Sequence, residues 1–488
     1  MNLNDKLSKL SNFTMPKTKV DAVSYENNGI FSAPNGIRHE HLPNFYRIKL
    51  QILSGKSGLS HTEIWLPEKW NGIYIGTGNG GMAGSIVYSS LAAYVRGGYA
   101  VANTDMGTSR GYECGINNPD VWKDFGWRST HNMTVAAKSV IRMHYGKEPD
   151  YSYFTGGSTG GQQALAEAQR FPNDYDGIIA AVPANNRTML HTYFLWNHVH
   201  LRKPDGRKLF SGDEIEFITN FATRFFSKID GTNDNFIAFP RSSENLINDF
   251  ISALTEEHKF TEEQLQALKA IYLGPVNPIT KERIYNGMPM GSEIYGCGIE
   301  DCQQSQSPHY YPFIWAFGKD YSPYSFDFSS DLERLNELLA DDLNANDADL
   351  AAFRLNGGKL LIYSGSADPC VPFPDAMHYY ERLLDKMGGY KGVSEFCRYF
   401  LVPGRDHGGG GRGANALKTA DGESEIECIR KWREQGIAPD SLKAFRYKNI
   451  GGDISTEFER YIYPYGSPNF PLGQCPPVCS NRYLGQNK

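Results

Sequence analysis

Two pentapeptides of this 488-residue chain fit G-x-S-x-G, the spacing that lifts a serine hydroxyl onto a tight turn between small neighbours. They are Gly156-Gly157-Ser158-Thr159-Gly160 and Gly107-Thr108-Ser109-Arg110-Gly111. A serine so placed becomes a nucleophile for a carbonyl carbon once a base takes its proton. The flanks separate the two copies. Ser158 follows the strand-like "DYSYF" and leads into "GQQALAEAQRF", whose Gln, Ala, Leu and Glu residues favour helix. Ser109 leads into "YECGINNPD", which predicts no helix. A helix beginning just after Ser158 also turns backbone N–H groups and a positive dipole end toward a developing oxyanion. The Thr159 N–H is the expected first donor. A second donor is expected from "GTGNGGMAG" at 76–84, because glycine lets the backbone approach a substrate oxygen closely. Gly81 is favoured there, with Gly80 next.

A nucleophilic serine needs a base, and the base needs an orienting carboxylate. On a parallel α/β sheet these follow the serine in the order carboxylate, then histidine. Asp368 comes just after "KLLIYSGSA", and His407, in "VPGRDHGGGG", just after "FCRYFLV". Both therefore lie past the carboxyl end of a predicted strand, where such sites form. Of the twelve histidines, His378 is the nearest rival, but it shares a predicted helix face with Tyr379 and Tyr380, which suits packing. Asp406 adjoins His407 and reads as local turn chemistry.

Those residues need a scaffold, and the apolar pattern predicts one. Strands are expected at 45–53, 61–67, 71–78 and 98–105, then a helix over 129–145, the strand before Ser158, the helix after it, and a strand through "YDGIIAAVP". Strand, helix and strand in close succession indicate a parallel sheet with helices on its faces. After Pro183 the rhythm stops for about 170 residues of helical segments and aromatic loops, then resumes at Gly357. The reading is an α/β catalytic domain, residues 1–186 and 351–488, interrupted by an inserted lid, residues 187–350. The tail from Asp453 reads as a loop-like strap.

Composition narrows the function classes. A formal net charge of −6 gives no basic surface for nucleic acid or an anionic membrane, so small or neutral partners are expected. "MNLNDKLSKLSNF" lacks the apolar core of a secretory leader. The expectation is a soluble, cytoplasmic protein, or a secreted one if a leader has been removed. The eight cysteines form no zinc-like double pair, and reduced thiols are expected. Oligomeric state has no signal in the sequence.

Several blocks together resemble the tannase and feruloyl esterase family, which also includes hydrolases of mono(hydroxyethyl) terephthalate: "EIWLPEKWNGIYIGTGNGGMAG", "STGGQQALAEAQRFPNDYDGIIAAVPA", "GGKLLIYSGSADPCVP" and "VPGRDHGGGG". The resemblance runs through nearly the whole chain in the family's order. It implies an α/β-hydrolase core sheet with a large inserted lid domain. It also implies a Ser158, Asp368 and His407 triad, agreeing with the assignment from order and context. The implied activity is that of a serine carboxylic ester hydrolase acting on esters of hydroxylated aromatic acids, feruloyl esterase-like, with no cofactor required. A tannase acting on gallate esters, or a hydrolase of other aromatic monoesters, stands as the alternative. An acyltransferase or a non-catalytic binding protein represents a different class. The lid aromatics Phe194, Trp196, Tyr311, Phe313, Trp315 and Phe317 suit a planar acyl ring, although most of them are expected to be core.

Where the chain departs from the family, it does so in pairs. Relatives carry a cysteine just before the nucleophile and another just after the histidine, joined as a disulfide; this chain has Gly157 and Gly408 there. Many members have F-C-R where this chain has Phe45-Tyr46-Arg47. Joint loss of both half-cystines implies catalytic loops held without a covalent tie. The family's lid also carries a calcium loop, D-x-x-D-G-V-x-D-G-V-I. Here "SKIDGTNDNFI" keeps Asp230 and Asp234 but has Ser227 in place of the first carboxylate. A structural calcium held by Asp230, Asp234 and the carbonyls of Thr232 and Phe236 is one reading, and a plain Asx turn is the other.

Overall fold

The computed structural model describes residues 2–230, 233–240, 242–296, 310–450 and 453–470. Its strands are β1 (Thr18–Glu26), β2 (Phe31–Ser32), β3 (Arg38–His39), β4 (Phe45–Ser54), β5 (Gly58–Pro67), β6 (Ile73–Thr77), β7 (Ala100–Thr104), β8 (Tyr151–Gly157), β9 (Gly177–Ala181), β10 (Lys359–Gly365), β11 (Cys397–Val402), β12 (Ala416–Thr419), β13 (Leu442–Ile450) and β14 (Asp453–Ile462). Its α-helices are α1 (Leu3–Ser11), α2 (Tyr88–Arg96), α3 (Pro119–Lys123), α4 (Ser129–Tyr145), α5 (Thr159–Arg170), α6 (Arg187–Leu201), α7 (Gly212–Asp230), α8 (Glu244–Glu257), α9 (Glu262–Leu273), α10 (Tyr311–Phe317), α11 (Ser330–Leu343), α12 (Ala351–Leu355), α13 (Phe373–Lys386), α14 (Gly389–Val393) and α15 (Glu425–Gln435). These pack into two compact units, one of residues 1–185, 314–319 and 339–360, the other of residues 186–313, 320–338 and 361–488.

The first unit is built on a mixed sheet whose strands lie in the order β1-β4-β5-β7-β6-β8-β9. The leading strands are antiparallel, and β7, β6, β8 and β9 run parallel. The change of pattern follows from side-chain alternation. In β4 the odd positions Arg47, Lys49 and Gln51 are half-buried while Ile48, Leu50 and Ile52 point inward, the signature of a strand with one wetted face. Strands β6 and β7 are buried at every position, which requires helices over both faces. Helices α2 and α4 pack against β7, and α5 packs against both β8 and β9.

Arg47 shows how the outer strands are tied. Its guanidinium pairs with Glu63 across the ladder and lies over the Phe31 ring at 4.8 Å, and Glu63 also accepts from the Trp65 Nε1 at 2.8 Å. Tyr46, at the position where relatives carry a cysteine, is buried against the rings of Tyr25 and His144.

Part of the second unit is a helical core. Helices α7, α8 and α9 bury Ile218, Phe221, Ala222, Phe250, Leu254, Leu268 and Tyr272 together. Strands β10 and β11 are neighbours, and α13 follows β10. The tail corrects the expectation of a strap: Asp453–Ile462 is a full strand, paired antiparallel with β13, which pairs in turn with β12.

One polar group is buried here at a cost. Asp375, in the first turn of α13, is 6% exposed, accepts one bond from Asn186 Nδ2 at 3.3 Å and leaves Oδ2 without a partner. Burial pushes its carboxyl up to about 6 from 3.8. A carboxyl raised in the folded state is neutral in both states below about pH 4, and its ionisation opposes folding as pH rises through 6. Asp375→Asn keeps the shape and removes the charge. It is expected to leave thermal stability unchanged near pH 4 and to raise it at pH 8, by up to about 3 kcal/mol at 1.36 kcal/mol per pH unit. Denaturation curves of both proteins at the two pH values measure this.

Candidate active site

Strand β8 ends at Gly157 and α5 begins at Thr159, so Ser158 makes the whole turn. Its backbone lies at φ 61°, ψ −117°, a conformation that an L-residue holds only when its surroundings enforce it. The enforcement is visible. The Ser158 N–H donates to Ala181 O at 3.0 Å, at the end of β9, and the Ser158 carbonyl accepts from Gln162 N and Ala184 N, both at 3.1 Å. Gly156 must be glycine: a Cβ there would sit 2.5 Å from the carbonyl oxygen of Gly160.

The glycine loop after β6 is bound to this turn. Gly160 N donates to Asn79 O at 2.7 Å, and Asn79 N donates to Gln163 Oε1 at 2.8 Å. The Thr159 hydroxyl donates to Gly81 O at 2.5 Å. Gly81 takes a left-handed conformation, φ 55°. Among the described residues no backbone carbonyl accepts its N–H. Ser158, Thr159 and Gly81 are thus brought together inside the first unit, with α5 directing its N-terminus at the serine. Gly157 has room: a Cβ would meet Ala181 Cβ at 3.5 Å, Ala181 O at 3.7 Å and Val182 Cγ2 at 3.9 Å, all ordinary contacts.

The second unit brings Asp368 and His407 together. Asp368 follows β10 and is fully buried; its Oδ1 accepts from Cys370 N at 2.8 Å and Val371 N at 2.9 Å. Its Oδ2 lies 2.8 Å from His407 Nδ1. That contact fixes the tautomer with the proton on Nδ1, leaving Nε2 as the basic nitrogen. Both loops are stitched underneath. Ser366 N donates to Val402 O at 2.9 Å, Ala367 N to Arg405 O at 3.1 Å, and Gly404 N to Ser366 Oγ at 2.7 Å. Tyr193 Oη donates to Pro369 O at 2.8 Å. The glycine run after His407 is gathered by Arg446 of β13, whose Nη1 donates to the carbonyls of Gly411 at 2.5 Å and Gly413 at 2.9 Å. Asp406 accepts from Gly410 N at 2.5 Å, the turn role expected of it. A Cβ at Gly408 would find only Asp406 Oδ1, at 3.9 Å.

Among the described residues a histidine–aspartate contact through Nδ1 recurs at His61 and His131, so that contact alone does not select the base. His61 Nδ1 lies 2.6 Å from Asp105 Oδ2, and Ser109 Oγ approaches the same nitrogen at 3.4 Å. A relay needs the serine and the carboxylate on opposite ring nitrogens, so Ser109 does not complete one. It runs into a single 3-10 turn, Tyr112–Gly115, in place of a strand-to-helix turn. His61 is held above its ordinary pKa, chiefly by the hydrogen bond to Asp105. His131 Nδ1 lies 2.7 Å from Asp174 Oδ2, with its ring stacked on Phe171 at 3.7 Å, a packing arrangement. His378 is pushed down to about 4 by burial and meets Asn286 Nδ2 at 3.4 Å.

Of the residues expected to hold calcium, Asp234 and Phe236 are described with their side chains. Thr232 lies outside the described residues, and so does the side chain of Asp230. Asp234 presents both carboxylate oxygens to Arg460 Nη2, each at 2.9 Å. The same guanidinium lies over the ring of Phe236, which stacks on Phe458. The cation facing Asp234 is therefore an arginine of β14, arriving from 226 positions away in sequence. Of the lid aromatics, Phe194, Tyr311, Phe313 and Trp315 are core, and Trp315 donates its N–H to Tyr112 O at 2.7 Å. Trp196 donates to Ala270 O at 2.9 Å. None of the four described cysteines, Cys114, Cys370, Cys397 and Cys428, is joined in a disulfide. Sequence reasoning missed Arg446 and Tyr193, which hold the His407 and Asp368 loops; neither stands in a motif.

The model of the family described as tannase and feruloyl esterase matches residues 55–309 and 318–471. Feruloyl esterase B of Aspergillus niger is 28% identical over 439 residues, 86% of this chain and 82% of that protein. A probable feruloyl esterase B-2 of Aspergillus fumigatus is 28% identical over 436 residues, with the same two shares. Among solved structures, feruloyl esterase B from Aspergillus oryzae superposes with a TM-score of 0.84 at 22% identity, over 94% of this chain and 96% of that one. Tannin acyl hydrolase from Aspergillus niger superposes with a TM-score of 0.73 at 18% identity, over 94% of each chain. With a family match over most of its length and that fold, the chain belongs to the tannase and feruloyl esterase family of α/β-hydrolases, which are carboxylic ester hydrolases.

Proposed function

We propose that the protein hydrolyses esters of hydroxylated aromatic acids, feruloyl esterase-like, through Ser158, His407 and Asp368. The observation that carries the reading is the backbone of Ser158 at φ 61°, ψ −117° between β8 and α5, a strained turn whose use is to present the hydroxyl. His407 Nε2 takes the Ser158 proton as Oγ attacks the ester carbonyl carbon. The N–H groups of Thr159 and Gly81 hold the oxyanion. Collapse expels the alcohol, which receives the proton from His407, and leaves an acyl-serine; water, deprotonated by the same imidazole, then releases the acid and restores the serine. Asp368 keeps the ring in the required tautomer and stabilises its cation. In this reading residues 187–350 are the lid of a catalytic domain formed by 1–186 and 351–488. The free cysteines suit a cytoplasmic, reducing setting.

The chemistry needs no cofactor. A lid calcium is disfavoured by the arrangement around Asp234, both of whose oxygens are engaged by Arg460, while calcium asks for six or more oxygens, several anionic.

The kcat/KM values for methyl ferulate, methyl gallate, p-nitrophenyl acetate and a terephthalate monoester are expected to rank the two hydroxylated aromatic esters first. Ser158→Ala is expected to lower turnover about 10⁴-fold or more. Unchanged turnover in that variant would overturn the nucleophile, and ester formation in place of hydrolysis when an alcohol competes would make the enzyme an acyltransferase.

Both Gly157 and Gly408 accept a side chain without backbone collision. If Ser158 and His407 act as the proposed pair, the Gly157→Cys, Gly408→Cys double variant is expected to form an intramolecular disulfide on oxidation, read by mass and thiol titration, and to melt higher than its reduced form. Persistently reduced thiols would argue against a Ser158 and His407 pair. Melting temperature is expected to be the same in calcium and in chelator; a rise with calcium that Asp234→Asn abolishes would establish the metal.

A further inference from the structure

A cavity of about 240 Å³ opens in the second unit, lined by residues that the proposed reaction does not use. Its apolar walls are Leu201 at the end of α6, Phe210, Ile215 on α7, and Ile294. Arg202 and Lys208, joined to each other by an antiparallel bridge, stand at its edge. Pockets for larger organic ligands measure roughly 300–1,000 Å³, so this one suits a molecule of one ring.

The cavity also has a polar feature that packing does not explain. Glu293 lines it and is 2% exposed. Its Oε1 accepts from Tyr272 Oη at 2.7 Å and from Gly291 N at 2.9 Å, whereas Oε2 has no hydrogen-bond partner. The nearby Thr219 hydroxyl gives its proton to Ile215 O at 3.0 Å. A buried carboxyl oxygen with no partner carries a desolvation penalty, which a ligand hydroxyl would relieve. Burial is the largest influence on this carboxyl and holds it above its ordinary pKa.

We propose that this cavity binds a single-ring hydroxylated aromatic acid, with its ring against Phe210, Ile215 and Ile294, its carboxylate at Arg202 and Lys208, and its hydroxyl at Glu293 Oε2. An apolar body with an anion at one end and a hydroxyl at the other is what these walls, charges and oxygen recognise together. That such an acid is also the product of the enzyme rests on the proposed reaction; the binding chemistry does not. Occupancy has a short route to the base. Glu293 begins the turn Glu293–Tyr295, and Tyr295 Oη accepts the N–H of Arg412 at 2.8 Å, five residues beyond His407.

The test is calorimetric titration of 4-hydroxybenzoate and benzoate into the wild-type protein and into Ile215→Trp and Lys208→Glu. None of these measurements uses turnover, so they read the cavity even if the esterase reading fails. Ile215→Trp, which fills the cavity, is expected to remove one binding event, and Lys208→Glu, on an exposed side chain, to weaken the same event about fivefold. At that site benzoate is expected to bind more weakly than 4-hydroxybenzoate. An identical isotherm in a folded Ile215→Trp protein, or in Lys208→Glu, would overturn the site. Hydrogen exchange over residues 407–413 is expected to slow on adding 4-hydroxybenzoate to the wild type and not to Ile215→Trp; intact binding without slowing would remove the link to the histidine loop.

Discussion

A single residue held against its own preference organises this molecule. An L-residue at φ 61°, ψ −117° costs about 1–3 kcal/mol, and Ser158 pays it between a buried strand and a buried helix. Its neighbours are constrained in consequence. Gly156 has no room for a Cβ, Ala181 and Ala184 tie the turn to the far side of β9, and the Asn79 loop is bonded to the first turn of α5. A turn so braced cannot relax toward an ordinary conformation without breaking contacts on three elements, and it is the rigidity of those elements that makes the hydroxyl's position reproducible.

The histidine side uses a different device. Asp368 is fully buried and accepts from two backbone N–H groups as well as from His407. Such a carboxylate is oriented before any substrate arrives, and charge-assisted bonds from backbone N–H groups offset its desolvation. Two other imidazoles among the described residues contact an aspartate in the same way, at His61 and His131. Geometry of the pair is therefore common; what differs is the setting. His131 is stacked on Phe171, and His61 shares one nitrogen between Asp105 and Ser109.

Much of the α/β core was legible because its signals are local. The predicted strands at 45–53, 61–67, 71–78 and 98–105 correspond to β4, β5, β6 and β7, and the change from strand to helix propensity around Ser158 matches β8 and α5 within a residue or two. The nearness of Asp368 to His407 was legible from order and from the strands before them. Non-local pairing was not. The segment 453–462 has a mixed polar face, with Ile454 and Tyr461 exposed, and becomes a strand only because β13 offers a partner. The acidic pattern at 230–236 looked like a cation loop because the counter-charge of Asp234, Arg460, is too far along the chain for any local motif to include it.

The clamp of Arg446 on the glycine run bears on the order in which the molecule can become active. Four consecutive glycines, Gly408–Gly411, form one of the most entropically expensive kinds of segment to order, and the guanidinium that gathers Gly411 and Gly413 belongs to β13. The loop bearing His407, the proposed base, is thus completed by strands synthesised after it. During synthesis the Ser158 turn has all its partners by residue 184, whereas the His407 loop gains its last support only when β13 and β14 pair. A nascent chain would carry a formed serine turn for most of its translation without a fully supported base.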